Sequence, residues 1–133
     1  MPQRLSMDTP IKKILIIEDD ELIVFSLTKK LELAKGIKVL CAKNGAEGLA
    51  MSLAEKPDLI LLDIIMPIMS GMDMLKQLRQ DEWGKQANVI ILSNLSSPEK
   101  EAEAKKLGVT DYIVKADWKL EDVISKALEC VMR

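Results

Sequence analysis

Residues 59–62 are four consecutive apolar side chains, Leu-Ile-Leu-Leu, and the run stops at a carboxylate, Asp63. Pro67 and Gly71 follow within eight positions. A short unbroken apolar run suits a strand buried on both faces of a parallel sheet, and Pro and Gly mark a turn before the next helix. An acid at the C-terminal end of such a strand stands where open α/β sheets bind ligands, in the crevice beyond the strand ends. The competing reading is an aspartate that satisfies turn amides ahead of a proline. The rest of the chain has to decide between them.

The same pattern recurs along the chain. Lys12–Ile17 reads as a buried strand closed by Glu18-Asp19-Asp20-Glu21, followed by a helix with Val24, Leu27, Leu31 and Ala34 at helical spacing and Gly36 as its stop. Ile37–Ala42 reads as a second, less apolar strand suited to a sheet edge. Asn44-Gly45 opens a helix with Ala46, Leu49, Ala50 and Leu53 on one face, ended by Pro57. A third helix runs from Gly71 to about Gln80 with Met72, Leu75 and Leu78 inward, and residues 81–87 form a loop. Asn88–Ser93 is a fourth strand. Ser96-Ser97-Pro98-Glu99 starts a fourth helix, with serine caps, a proline that fits the first turn and an acid that favours the dipole. That helix is strongly polar, with only Ala102, Ala104 and Leu107 as apolar positions before Gly108, and weakly amphipathic helices pack loosely or bind something else. Tyr112–Lys115 is a fifth strand. Lys119–Met132 is a last helix with a seam of Leu120, Val123, Ile124, Ala127, Leu128 and Val131. Five strands alternating with five helices imply βαβ units and a doubly wound parallel sheet with helices on both faces.

Composition narrows the function classes. The 133 residues suffice for one domain with a real core. A net charge of −2 gives no footprint for direct nucleic-acid or membrane-surface binding, and apolar runs of this shortness span no bilayer. Residues 1–11 read as a flexible tail without a signal core, which implies the cytoplasm. Cys41 and Cys130 read as buried hydrophobes in a reducing compartment. The sequence has 0 histidines, so any metal site must use hard oxygen ligands.

Four of the five strands end in residues able to meet one ligand: Glu18 and Asp19, Asp63, Ser93, and Lys115. Parallel strands place these ends on one edge. Three carboxylates together repel unless a cation joins them, and Mg²⁺ accepts one or two carboxylates while taking its other oxygens from water or phosphate. A lysine and a hydroxyl facing them suit phosphoryl oxygens. An aspartate nucleophile, a divalent cation and a lysine are the apparatus for an aspartyl phosphate.

At these residues the chain resembles a response-regulator receiver domain of two-component signalling, of the single-domain, chemotaxis-regulator-like kind. The matching pieces are Ile14–Glu21, Leu62–Gly71, Ile90–Ser93 and Asp111–Lys115, and the resemblance spans about residues 12–133. It implies a flavodoxin-like (βα)5 fold with strand order 2-1-3-4-5. Asp63 would accept a phosphoryl group from a sensor histidine kinase or a histidine phosphotransfer protein. Glu18, Asp19, Asp63 and the Ile65 carbonyl would hold Mg²⁺, or Mn²⁺ in its place. Ser93 and Lys115 would contact phosphoryl oxygens, and Tyr112 would be the switch aromatic that turns inward when Ser93 closes. The fourth helix, fifth strand and fifth helix would report the state to a downstream protein or a second copy. The chemistry is self-phosphorylation rather than turnover of an external metabolite, so the chain is not expected to be an enzyme. Ending soon after the fifth helix fits either a stand-alone regulator or a receiver cut from a larger protein.

Departures from the family pattern carry their own expectations. Ala116 stands where the family usually has proline. A cis bond before a non-proline costs about 2.5–4 kcal/mol, so Lys115–Ala116 is expected trans or strained. Asn94 is larger than usual and crowds the phosphoryl entrance. Ile65 and Leu95, two past Asp63 and Ser93, are apolar and are expected to hinder the hydrolytic water. A nucleotide- or flavin-binding protein would need a glycine-rich or Ser/Thr-rich loop after the first strand, where this chain has Glu-Asp-Asp-Glu. An aspartate-nucleophile phosphohydrolase would need Asp-x-Asp there. A phosphorylation-independent interaction module is the third alternative, and Ala116 and Asn94 keep it open.

Overall fold

Alternate residues along each central strand enter opposite cores, and this fixes where the helices lie. The computed structural model describes residues 10–132. Most of the expected tail over residues 1–11 therefore lies outside the described residues, while Pro10 and Ile11 are exposed ahead of the first strand. Strands β1 (Lys12–Ile17), β2 (Ile37–Ala42), β3 (Leu59–Leu62), β4 (Val89–Ser93) and β5 (Asp111–Val114) form one parallel sheet in the order β2-β1-β3-β4-β5. Helices α1 (Glu21–Leu31), α2 (Gly45–Glu55), α3 (Gly71–Leu78), α4 (Pro98–Lys106) and α5 (Leu120–Met132) connect and follow them. The expected flavodoxin-like architecture is the observed one.

Ile14, Ile16, Leu59, Leu61, Ile90, Leu92 and Ile113 pack with Leu27 and Leu31 of α1 and Val123, Ala127 and Val131 of α5. Leu15, Ile17, Ile60, Leu62, Val89 and Ile91 pack with Met72, Leu75 and Leu78 of α3 and Ala104 of α4, flanked by Leu49 and Met51 of α2. Burying each such aliphatic side chain contributes about 1.5–3 kcal/mol before chain entropy is counted. No helix among the described residues is long and apolar enough to cross a membrane.

Several local expectations change. The inward face of α2 is Gly45, Gly48 and Ser52 with Leu49 half-buried at its edge, whereas Ala46, Ala50 and Leu53, expected on that face, are exposed. The cause is close approach: a Cβ on Gly48 would lie 2.6 Å from Ile17 Cδ1, so only a residue without a side chain lets α2 sit this near β1. Helix α1 stops at Leu31, and the chain turns through Gly36 at φ 81°. A short 3₁₀ turn, Gly84–Gln86, lies within the expected loop 81–87. Cys41 is exposed rather than buried, because β2 is an edge strand, and Cys130 is half-buried against the α1/α5 core.

Candidate functional site

Register alone brings the acids together. Ile17 of β1 pairs with Leu62 of β3, so the next residues, Glu18 and Asp63, leave the sheet side by side. The Asp63 N–H donates to the Ile17 carbonyl at 3.0 Å and the Glu18 N–H to the Ala42 carbonyl at 3.0 Å, extending the ladders by one step. Ser93 pairs with Val114, which places Lys115 one residue beyond the hydroxyl. Asp20 caps α1, its Oδ1 accepting from the Leu22 and Ile23 N–H groups at 3.0 and 3.3 Å.

The loop after Asp63 is clamped at both ends by glycines. The Gly71 N–H donates to the Ile64 carbonyl at 2.8 Å, and a Cβ on Gly71 would collide with the Asp63 carbonyl. The Gly45 N–H donates to the Met69 carbonyl at 3.0 Å, and a Cβ there would strike the same oxygen. Ser70 caps α3 through its hydroxyl.

A cavity of about 280 Å³ results, lined by Glu18, Asp19, Asp20, Asp63, Ile65, Ser93, Asn94 and Lys115. Asp63 is only 6% exposed, Glu18 is buried and Ser93 fully so, whereas Asp19 is open to solvent. Carboxylate oxygens of Glu18, Asp19 and Asp63 lie within 4.8 Å of one another. The Lys115 Nζ donates to Glu18 Oε1 at 2.6 Å and stands 3.8 Å from Asp63 Oδ2. Burial pushes the Glu18 carboxyl up to about 7, and the Asp63 charge adds to the rise against the opposing hydrogen bond from Lys115. Converging oxygen donors in which one acid resists ionisation suit a hard divalent cation, which would relieve that repulsion.

On the other rim, Ser93 Oγ accepts from the Leu95 N–H at 3.2 Å, and the Tyr112 hydroxyl donates to the Leu95 carbonyl at 2.6 Å. Both faces of the Leu95 residue are thus tied to the two residues expected to switch. Tyr112 is half-buried, and burial raises its phenol pKa.

The structure brings Glu18, Asp19, Asp63, Ile65, Ser93 and Lys115 to one cavity, with Tyr112 linked to Ser93 by two hydrogen bonds through Leu95. Three points differ from the sequence reading. Lys115 bonds Glu18 more closely than Asp63, a choice that residue order does not encode. Leu95 does not line the cavity; it packs against the α3/α4 side of the core, so of the two apolar residues expected to bar water only Ile65 is in place. Arg79 carried no signal beyond its helix position, yet it donates to four carbonyls, Leu107 at 2.6, Gly84 at 2.7, Ala87 at 2.8 and Gly108 at 3.2 Å. The Lys115–Ala116 bond is trans, as expected without proline, and Lys115 still reaches both acids.

Comparison with known proteins identifies the family. A family model described as the response regulator receiver domain matches residues 14–127. The chain belongs to that family, the receivers of two-component signalling. It is 36% identical over 103 residues to the protein PilH of Pseudomonas aeruginosa, covering 77% of this chain and 84% of PilH. It is 36% identical over 124 residues to a protein-glutamate methylesterase/protein-glutamine glutaminase of Archaeoglobus fulgidus, covering 91% of this chain but 34% of that protein. A CheY-like receiver domain protein from Methanospirillum hungatei superposes with a TM-score of 0.82 at 30% identity, covering 92% of this chain and 94% of its own.

Proposed function

We propose that Asp63 accepts a phosphoryl group from the phosphohistidine of a sensor histidine kinase or a histidine phosphotransfer protein, and that the α4–β5–α5 face passes the state to a protein partner. The observation that carries this reading is the cluster itself: three carboxylates within 4.8 Å and one ammonium 2.6 and 3.8 Å from two of them. An Asp63 oxygen attacks phosphorus, the P–N bond breaks, and its electron pair stays on the donor imidazole, which then takes a proton. Lys115 exchanges its bond to Glu18 for one to a phosphoryl oxygen, neutralising charge that the transfer brings beside Asp63. Ser93 keeps its lone pair on the Leu95 N–H while its own O–H donates to a second phosphoryl oxygen.

Glu18, Asp19, Asp63 and the Ile65 carbonyl are the groups that would hold Mg²⁺ or Mn²⁺. Such an ion, when bound, screens the carboxylates from the incoming phosphoryl oxygens. Closure of Ser93 shifts Leu95, and the Tyr112 hydroxyl follows through its bond to the Leu95 carbonyl. The surface beside Tyr112 then differs for a downstream protein or for a second copy pairing through α4–β5–α5. The chain acts on its own carboxylate and turns over no metabolite, in a cytoplasmic setting where kinases and phosphotransfer proteins meet it. The domain is taken as residues 12–133.

Incubation with acetyl phosphate and Mg²⁺, read by intact mass, tests this. One added phosphoryl group that needs Mg²⁺ and is missing in Asp63→Asn supports it. No addition to a folded native chain argues for a docking module instead. Ile65 hinders the hydrolytic water by lining the cavity, so Ile65→Asn shortens the phosphorylated lifetime several-fold; an unchanged lifetime removes that role.

A further inference from the structure

Lys115 borders two hollows. One is the acid cavity that it shares with Glu18, Asp63 and Ser93. The other is an apolar cleft of about 310 Å³ between α1 and α5, whose walls include Leu22, Leu27, Leu92, Trp118 and Val123. The Lys115 side chain is only 14% exposed. Its methylene stem can thus lie along the apolar cleft while its ammonium reaches the acids, the usual division of a lysine between two surroundings. Little in the backbone fixes that stem. The sheet ladder ends one residue earlier, where Val114 pairs with Ser93. Lys115–Asp117 then forms a single 3₁₀ turn without a side-chain cap, and the Trp118 N–H that closes it stands 3.4 Å from the Lys115 carbonyl. A hydrogen bond of that length is weak, and 3₁₀ bonding geometry is poor in general. Ala116, Asp117 and Lys119 are exposed. Between Lys115 and the first residue of α5, Trp118 alone lines the cleft. It is 37% exposed, so most of its large apolar surface is covered.

We propose that Trp118 is a positioning residue for phosphoryl transfer to Asp63, holding Lys115 in place from the side of the apolar cleft. This rests on Asp63 being the phospho-acceptor. Trp118 touches no reacting atom. It shares the cleft with side chains of α1, β4 and α5, of which Leu27, Leu92 and Val123 are buried in one core, and so ties the segment after Lys115 to a firmly packed part of the fold. With backbone and stem fixed, only the ammonium swings. It moves from Glu18 at 2.6 Å toward a phosphoryl oxygen on Asp63, whose carboxylate it already approaches to 3.8 Å. A lysine has among the largest rotamer freedom of any side chain, and transfer needs its charge within a fraction of an ångström of one place. Removing the indole widens the cleft beside the stem. Lys115 then spreads over several rotamers, few of which meet the phosphoryl oxygen.

The test is the initial rate of labelling by acetyl phosphate with Mg²⁺, read by intact mass at a temperature where every variant is folded. It compares the native chain with Trp118→Ala, Trp118→Phe and Val131→Ala. Val131 is buried at the far end of α5, so truncating it lowers Tm without approaching Lys115. Trp118→Ala should slow labelling roughly tenfold or more. Trp118→Phe, which keeps a ring in the cleft, should regain most of the rate, and Val131→Ala should label within twofold of native. Native-rate labelling of Trp118→Ala overturns the inference. Equal slowing in Val131→Ala also overturns it, since the loss would then be one of general stability, as does a Trp118→Phe chain no faster than the alanine variant. If Trp118→Ala fails to fold, Trp118→Leu replaces it with an expected slowing of about threefold, and a native rate there overturns the inference equally. A native chain that takes no label at all sinks the phospho-acceptor reading itself, and this inference with it.

Discussion

Helices α4 and α5 flank the same strand, β5, and are held in opposite ways. Helix α5 buries Val123, Ala127 and Val131, with Leu120, Ile124 and Leu128 half-buried beside them. Helix α4 buries one residue, Ala104. Its other ties are polar: Glu103 to Lys76 at 2.9 Å and Lys100 at 3.6 Å, the Ser97 cap, and the Arg79 bonds to the Leu107 and Gly108 carbonyls. Apolar burial is lost almost whole when a helix shifts, whereas a solvent-facing ion pair or a cap can be exchanged for water at little cost. One helix is therefore fixed to the sheet by apolar burial, and the other is held chiefly by exchangeable polar bonds, at Leu95 and Ser97 on its N-terminal side and by Arg79 at its far end.

The contrast can be broken at its strong side first. Ala127→Asp puts a charge into the α5 seam and should cost more than about 4 kcal/mol, abolishing cooperative thermal unfolding, whereas the same change at exposed Ala102 of α4 should leave Tm nearly unchanged. Next comes Arg79→Ala, which strips several carbonyls of their donor. A loss of about 2 kcal/mol is expected, together with faster amide exchange confined to the C-terminal turn of α4 and residues 84–87. Exchange that rises equally in α5 would show the two helices to be coupled.

A smaller effect lies at the site itself. The Glu18 carboxyl goes from 4.5 to about 7 on folding, so the metal-free folded chain holds a proton that the unfolded chain releases. The sign follows from linkage: stability is full below pH 4.5 and declines as pH rises through 7. Glu18→Gln should flatten that slope and raise the metal-free Tm at neutral pH. An unchanged slope in the variant would show that Glu18 is ionised throughout this range. The smallest change is expected for Lys76→Ala. Its ion pair with Glu103 faces solvent, and Tm should stay within measurement error.

Much of this was legible in residue order. Apolar runs such as Leu59–Leu62 and Ile14–Ile17 specify buried parallel strands, and the polar residue closing each run marks the shared edge where Glu18, Asp63, Ser93 and Lys115 meet. The α5 seam was equally clear, since its period and its burial coincide. Helix α2 was misread because apolar spacing points at Leu53, while the deciding quantity is the distance of closest approach, which Gly48 sets by having no side chain. Lys115 choosing Glu18, and Arg79 gathering carbonyls from two segments, depend on side-chain reach across the fold. The exposure and positive φ of Ile68 were hidden as well, since Pro67 and Gly71 mark a turn without saying which residue between them takes the left-handed conformation.

A phosphoryl group at Asp63 is expected to be reported on the α4–β5–α5 face by a shift of α4 against an α5 that its apolar seam holds in place. Hydrogen exchange of the native chain, before and after phosphorylation by acetyl phosphate with Mg²⁺, tests this directly. The predicted result is altered exchange in residues 94–103 and at Tyr112, with Leu120–Met132 unchanged. Altered exchange spread equally through α5, or none in α4 on a chain that mass shows to be phosphorylated, would contradict it.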